Sequence, residues 1–306
     1  ALLLLLILTV SLIQWRQGVL SVAQIVSFYG LAAYLIQPVT SFINACYELT
    51  PAIVGMERER TLAAAGAPER DVDNDNAGND YLPSRIVDGK SKVAATRGDY
   101  TVIVSDSLAD LRAVAARLGG DTADEGTTAD GVPYTRYSTA ALRRMALLLD
   151  TDARLVSGTV GEILGEDSES ERRHDALHIA ALDGELHAAA DSDVLDFEVA
   201  EGGGNLSGGQ RQRLLLAKAA AKDTPVLVLV EPTSEVDTVT EQRIITRLKH
   251  DRTDRITVVA TRSPAHLRAA DVIYWLHDGT TVMHGDYATL TANPSFMSWL
   301  RRFATA

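Results

Sequence analysis

The chain has 306 residues, a length that points to about two domains, and its 29 basic and 41 acidic side chains give a net charge of −12. That balance argues against a nucleic-acid surface, which would show a basic patch. A single cysteine, Cys46, excludes an internal disulfide and any zinc site built from several cysteines. The charge is unevenly placed: among residues 1–47 only Arg16 is charged, whereas residues 48–306 carry a net of −13. An uncharged apolar head is thus joined to an acidic body.

Residues 1–13 read ALLLLLILTVSLI. They are uncharged but shorter than the roughly 20 apolar residues a helix needs to cross a bilayer. They have no basic leading region of the signal-peptide kind, and they read as the end of a transmembrane helix. Trp15 and Arg16 suit a membrane interface, with a short extracytoplasmic turn from Trp15 to Leu20. The uncharged stretch from Gln17 to Tyr47 contains a second span: Leu20–Pro38 would cover about 28 Å as a helix at ~1.5 Å per residue. Ser21, Gln24, Ser27 and Gln37 within it suit a helix that faces other helices or a cavity. The alternative is a buried helical pair in a soluble protein. Residues 1–65 are therefore assigned to membrane helices.

Residues 66–92, rich in Asp, Asn, Gly and Pro, have loop composition and read as a linker. Asp71, Asp73 and Asp75 resemble the start of a calcium loop. That template requires Gly at its sixth position and Glu at its twelfth, where this chain has Asn76 and Leu82.

Residues 93–306 alternate short apolar runs with helical segments. Tyr100–Val104, Val226–Val230, Ile256–Ala260 and Val272–Leu276 read as buried strands, and Leu108–Leu118 and Ser207–Ala221 as amphipathic helices. This alternation predicts an α/β domain with a largely parallel sheet. His174, His178 and His187 lie on a helical segment with many acids and read as surface residues rather than metal ligands.

One motif is highly specific. Residues 205–213 read NLSGGQRQR, and the apolar run VLVLV then leads through Glu231 to PTSEVD, ending at Asp237. A Ser-Gly-Gly turn opening a helix presents backbone N–H groups to an anion. A carboxylate directly after a buried strand can polarise a water for hydrolysis.

These residues resemble the ATP-binding cassette of an ABC transporter. LSGGQRQR is similar to its signature motif, and VEPTSEVD to the end of Walker B and the D-loop. Leu155–Val160 resembles the segment after the family's Q-loop, Phe197–Gly203 the segment before the signature in exporters, and Leu267–Asp271 with Asp278-Gly279 the segments after the switch histidine. The apolar head resembles the last two helices of an exporter's membrane domain. The resemblance implies an α/β, P-loop-type cassette with a helical subdomain, preceded by transmembrane α-helices.

The pattern breaks where phosphate and metal would be handled. The family's P-loop follows the first strand as a glycine-rich loop ending in Lys and Ser/Thr. Here Ser105, Leu108 and Asp110 replace the glycines, Leu111 the lysine and Arg112 the magnesium-binding hydroxyl, and Asp106 and Asp110 add negative charge. The Q-loop glutamine falls on Thr151, the Walker B aspartate on Val230 and the switch histidine on Arg262. For the stacking aromatic, Tyr81 is a weak candidate. In the family two cassettes pair head to tail, so that each signature faces ATP held by the other's P-loop.

The resemblance therefore implies a subunit of a heterodimeric ATP-driven exporter in the plasma membrane, multi-pass, with its cassette on the cytoplasmic side. Its own P-loop site would be degenerate. Ser207, Gly208, Gly209 and Gln210 would contact the γ-phosphate of ATP and magnesium held mainly by a partner subunit with intact motifs, and Asp237 would reach across the interface. Glu231 occupies the catalytic-base position, with a purely structural carboxylate as the alternative. A regulatory or structural cassette, or a gene fragment, are the rival readings. The transported substrate is not legible.

Overall fold

The structure is a computed structural model and describes residues 13–18, 21, 23–27, 30–31, 34, 81–122, 124–151, 153–165, 168–186 and 193–304. The chain divides into two compact units, residues 1–69 and 70–306.

In the first unit, residues 13–16 and 23–27 are helical. The first helical turn closes at Gln17 and Gly18, where the Gly18 N–H donates to the Trp15 carbonyl at 3.0 Å and Gly18 takes the left-handed φ of 73° that glycine tolerates. This turn falls where the sequence places a break between two helices. Ile13, Val26, Leu31 and Tyr34 are exposed. No helix among the described residues is long and apolar enough to cross a membrane. Most of the two apolar stretches, the rest of residues 1–65 assigned to membrane helices, and the Asp71–Asp75 segment lie outside the described residues.

The second unit is an α/β domain. Its elements in chain order are β1 (Arg85–Asp88), β2 (Val93–Thr96), β3 (Tyr100–Val104), α1 (Leu108–Leu118), β4 (Thr127–Ala129), β5 (Val132–Pro133), α2 (Thr139–Met145), β6 (Ala146–Leu149), β7 (Gly158–Thr159), α3 (Val160–Leu164), α4 (Ser170–Ile179), β8 (Glu198–Val199), α5 (Gly208–Ala221), β9 (Val226–Val230), α6 (Thr238–Asp251), β10 (Ile256–Ala260), α7 (Pro264–Ala269), β11 (Val272–His277), β12 (Thr280–Gly285), α8 (Tyr287–Thr291) and α9 (Pro294–Ala304). The main sheet has the order β12-β11-β3-β10-β9-β6. Its neighbours from β11 to β6 are parallel, and β12 closes one edge as an antiparallel strand.

The strands at the sheet centre are continuous apolar runs because both of their faces are covered. Every residue of β3, β9 and β10 is buried. Alternate side chains feed two cores: Leu227 and Leu229 pack on one side of the sheet with the α5 leucines, and Val226, Val228 and Val230 on the other with Leu111, Val114 and Leu118 of α1. Each buried Val or Leu contributes roughly 1.5–3 kcal/mol relative to exposure.

One boundary differs from the sequence reading. Residues 85–92 fall in the stretch read as linker, yet β1 pairs antiparallel with β2 and with β4. The Asp, Gly and Lys residues at 88–92 form the hairpin turn between β1 and β2. Turn chemistry and linker chemistry share a composition, which is why the strand was masked. The part of the linker before Tyr81 lies outside the described residues.

Between β7 and α5 lies the helical subdomain, with α4 packed on α5. Arg172 of α4 ties it to the C-terminal ends of α5 and α6: its guanidinium is 2.6 Å from Asp251 Oδ1 and donates to the Ala220 carbonyl.

Candidate functional site

The parallel strands deliver residues 105, 150–151, 231 and 261–262 to one edge, the C-terminal ends of β3, β6, β9 and β10. In open α/β sheets that edge is where ligands bind. Four positions at which the sequence departs from the cassette pattern, Ser105, Thr151, Val230 and Arg262, lie at these strand ends.

Only three residues, Ser105–Ser107, separate β3 from α1. Ser107 caps the helix, its hydroxyl accepting from the Asp110 N–H at 3.1 Å. Asp110 Oδ2 accepts from the Gly279 N–H at 3.0 Å, joining α1 to the β11–β12 turn. Leu111, at the lysine position, is fully buried. Arg112 reaches the residues after β6: its Nε is 3.1 Å from Asp150 Oδ2, and its Nη2 donates to Thr151 Oγ1 at 3.0 Å. Residues 112, 150 and 151 thus form one polar cluster.

Val230 is buried, and the chain then turns sharply at Glu231, whose φ of 44° is left-handed for a residue with a Cβ. The strain is held by the Glu231 N–H donating to the Ala260 carbonyl at 2.9 Å. The Glu231 carboxylate accepts from the Thr261 hydroxyl at 2.7 Å and from the Arg262 N–H at 3.2 Å, with Arg262 Nε at 3.5 Å. Arg262, at the switch position, is therefore paired with the carboxylate at the catalytic-base position.

Tyr81, the stacking candidate, is used within the fold. Its ring stacks on Tyr137 at 6.2 Å between centroids, and its hydroxyl donates to Asp130 at 3.0 Å. Burial, first, and then the neighbouring Tyr137 hydroxyl raise its pKa.

The signature turn forms a different surface. Ser207 is the N-cap of α5 and makes a capping box: its hydroxyl accepts from the Gln210 N–H, and the Gln210 side chain accepts from the Ser207 N–H at 3.0 Å. Such a cap is worth about 1 kcal/mol. The serine hydroxyl proton remains available to an incoming acceptor, and the N–H groups of Gly208 and Gly209 lie in the first turn, where a helix has no carbonyl for them. The predicted helix start at Ser207 is therefore the cap itself.

The next residues of the motif anchor the turn. Arg213 is 94% buried and donates to the Ala181 carbonyl at 2.7 Å and to Glu185 at 2.6 Å, and this guanidinium holds the Glu185 carboxyl below its ordinary pKa. Gln212 reaches into the loop after β9. Its Nε2 donates to the Glu231 carbonyl and to Ser234 Oγ, both at 2.9 Å, and its Oε1 accepts from the Glu235 N–H at 2.9 Å. Asp237 closes that loop as the N-cap of α6, accepting from the Val239 and Thr240 N–H groups, with the Thr240 bond the main cause of its lowered pKa. An open cleft of about 500 Å³ lies between this loop, the signature turn and residues 149–151 and 153–155.

Sequence reading missed three residues here. Gln212 and Glu235 sit inside the quoted motifs without an assigned role. His266 is fully buried, and burial lowers its pKa to about 3. Thr233 gives its one proton to Glu241 Oε1 at 2.6 Å. His266 Nε2–H therefore donates to Thr233 Oγ1 at 3.0 Å, and Nδ1 accepts from the Tyr100 hydroxyl at 2.8 Å. His174 and His178 pair with Asp193 and Asp183 on the surface of α4, as expected of surface residues. No group of three or more metal-ligating side chains forms among the described residues, and His187 lies outside them.

Residues 114–234 match the ABC transporter family model, a span that includes the signature turn and the end of β9. The chain is 35% identical over 177 residues to the beta-(1→2)glucan export ATP-binding/permease protein NdvA of Rhizobium johnstonii, covering 56% of this chain and 30% of that protein. It is 33% identical over 184 residues to the ATP-dependent lipid A-core flippase of Burkholderia orbicola, covering 60% and 31%. The structure superimposes on that of a bacterial Atm1-family ABC exporter with ATP bound, with a TM-score of 0.69 at 23% identity, over 98% of this chain and 56% of the other. The chain thus spans about a third of the length of these curated relatives. Such cassettes in general bind ATP with magnesium. Residues 114–234 are thus similar to the ABC transporter family model, and the chain is similar over 56–60% of its length to parts of ABC exporters whose fold it shares.

Proposed function

We propose that this chain is a subunit of a heterodimeric ATP-driven membrane exporter whose own P-loop site is degenerate and whose signature turn completes the hydrolysis site of a partner. The observation that carries the reading is the contrast between two surfaces of one domain. At the P-loop position Leu111 and Val230 are buried and apolar, Arg112 is engaged by Asp150 and Thr151, and Asp110 is held by Gly279. These residues do not fit a magnesium nucleotide: none supplies an ammonium to the phosphates, and the metal-orienting position at the end of β9 is Val230, which has no carboxylate. The signature turn retains its cap, its anchoring arginine and its first-turn N–H groups.

In this reading the turn offers Ser207 and the N–H groups of Gly208 and Gly209 to the γ-phosphate of a nucleotide bound by the partner. Fixed donors of this kind stabilise charge that grows during phosphoryl transfer. Glu231 acts within its own chain, anchoring Thr261 and Arg262. Asp237 caps α6 and faces the partner. The apolar stretches of residues 1–47 support attachment to a membrane, in this reading the plasma membrane with the cassette on its cytoplasmic side, and the exposed Ile13, Val26, Leu31 and Tyr34 agree with an apolar surrounding.

A second reading has one observation in its favour. The Glu235 carboxylate lies against Gly208, so that the turn already faces a negative charge of its own chain. A regulatory cassette that pairs without completing a site would tolerate this contact.

Photo-labelling of the complex purified from native membranes, with a magnesium azido-ATP analogue, tests the proposal. Label on the partner alone supports it, and equal label on residues 105–112 of this chain overturns it.

A further inference from the structure

Gln212 uses its whole amide on one loop. Both Nε2 protons are spent, one on the Glu231 carbonyl and one on Ser234 Oγ, while Oε1 takes the Glu235 N–H. The orientation of the amide follows from this set, since a flipped amide would set NH2 against the Glu235 N–H. Gln212 projects from the second turn of α5, and Arg213 beside it is locked to Ala181, Glu185 and the Gly209 carbonyl. The loop is also seated on the turn itself: a Cβ on Gly209 would stand 2.7 Å from the Glu235 carbonyl oxygen. Gly208 and Gly209 therefore admit the backbone and side chain of Glu235.

We infer that Gln212 is a positioning residue that joins the signature turn (Ser207–Gly209) to the loop Glu231–Asp237 as one rigid jaw. The inference rests on the proposed pairing, because it says what the jaw is for: Ser207 and Asp237 are presented to the partner in a fixed relation. Gln212 touches no nucleotide in this account and acts only through the two segments it joins. Glu231, held in its left-handed turn by the Ala260 carbonyl, receives a second restraint from Gln212 at its own carbonyl. The strained residue is thus fixed from both sides of the backbone.

The test has two arms. In the first, hydrogen exchange is measured on the full chain alone for wild type, Gln212→Met, which keeps the length but removes all three bonds, and Ser234→Ala, which removes one. Exchange over residues 231–237 should rise about tenfold or more in Gln212→Met and less in Ser234→Ala, with protection of β9 and β10 unchanged. In the second arm, the ATPase of the reconstituted pair is measured. Gln212→Met should lower kcat about tenfold with KM for ATP within about twofold, and Gln212→Glu, which still accepts from the Glu235 N–H, should fall between. Unchanged exchange at 231–237 overturns the inference, and so does raised exchange with an unchanged kcat. An ATPase of the reconstituted pair that is unchanged by Ser207→Ala would overturn the proposed pairing instead, and the exchange arm would then decide the jaw by itself.

Discussion

A Cβ added to Gly208 would stand 2.0 Å from Glu235 Oε2, well inside contact distance. The obstacle is the tip of an exposed side chain, so an added methyl displaces the Glu235 carboxylate and leaves the turn in place, whereas at Gly209 the obstacle is the Glu235 carbonyl oxygen at 2.7 Å, a backbone atom. A substitution at Gly208 therefore moves a charge as well as adding a methyl, whereas Ser207→Ala removes only a hydroxyl.

This relationship gives a coupling experiment. Gly208→Ala should destabilise the purified chain by less than about 1 kcal/mol, because the Glu235 carboxylate it displaces is the far end of an exposed side chain. Glu235→Ala alone should be close to neutral, since Glu235 is an exposed side chain. The double variant should recover most of the loss, because the obstructing carboxylate is gone. Urea denaturation of the three variants measures this, and strictly additive effects would show that the two residues do not meet.

His266 supplies a pH dependence with a definite sign. Burial holds its pKa at about 3, against 6.5 in the open chain. The unfolded chain therefore binds the proton first, and stability is complete above pH 6.5 and falls as pH drops towards 3. The loss should amount to a few kcal/mol in total, given ~1.4 kcal/mol per unit. His266→Gln should be less stable than wild type at pH 7.5 and should lose less between pH 7 and pH 4. Thermal melts of the purified chain across that range decide. Parallel profiles for the two proteins would contradict the buried neutral imidazole.

The Arg112–Asp150 pair is a partly exposed one, and its ionic worth is small, about 0–1 kcal/mol. Arg112→Ser, which places a hydroxyl at the magnesium-ligand position, should cost little stability and still leave the chain unable to bind magnesium nucleotide tightly, because Leu111 and Val230 remain. Isothermal titration of the variant with Mg-ATP should give no micromolar binding. Such binding would show that Arg112 alone disables the position.

Much of the fold was legible because its centre is built from five-residue apolar runs. Val226–Val230 and Ile256–Ala260 need no partner information to be read as strands buried on both faces. Ser207 was legible for a similar reason, since a cap before a helical run is a local signal. What escaped depends on distance along the chain. The β1 strand is hidden because Arg85–Asp88 is short and half polar, and its apolar partners lie on β2 and β4. His266 sits in an ordinary helical stretch, and nothing near it announces that Tyr100, 166 residues earlier, will cover it. Glu235 and Gln212 are 23 residues apart and meet only when α5 and β9 lie side by side. The departures at 105–112, 151, 230 and 262 were visible one by one. That Arg112 engages residues 150–151 while Arg262 engages Glu231 follows from the sheet order, which brings four strand ends to one edge.

The central claim is that the working site of the pair uses this chain's signature turn and not its Glu231. Steady-state ATPase of the purified complex in lipid, with Ser207→Ala or Glu231→Gln in this chain, tests it most directly. Loss of the serine donor should lower kcat by roughly ten- to a hundredfold, the range expected for one fixed donor to developing charge, while Glu231→Gln should change it by less than about threefold. A complex that keeps its activity with Ser207→Ala and loses it with Glu231→Gln would contradict the account, because hydrolysis would then reside at this chain's own site.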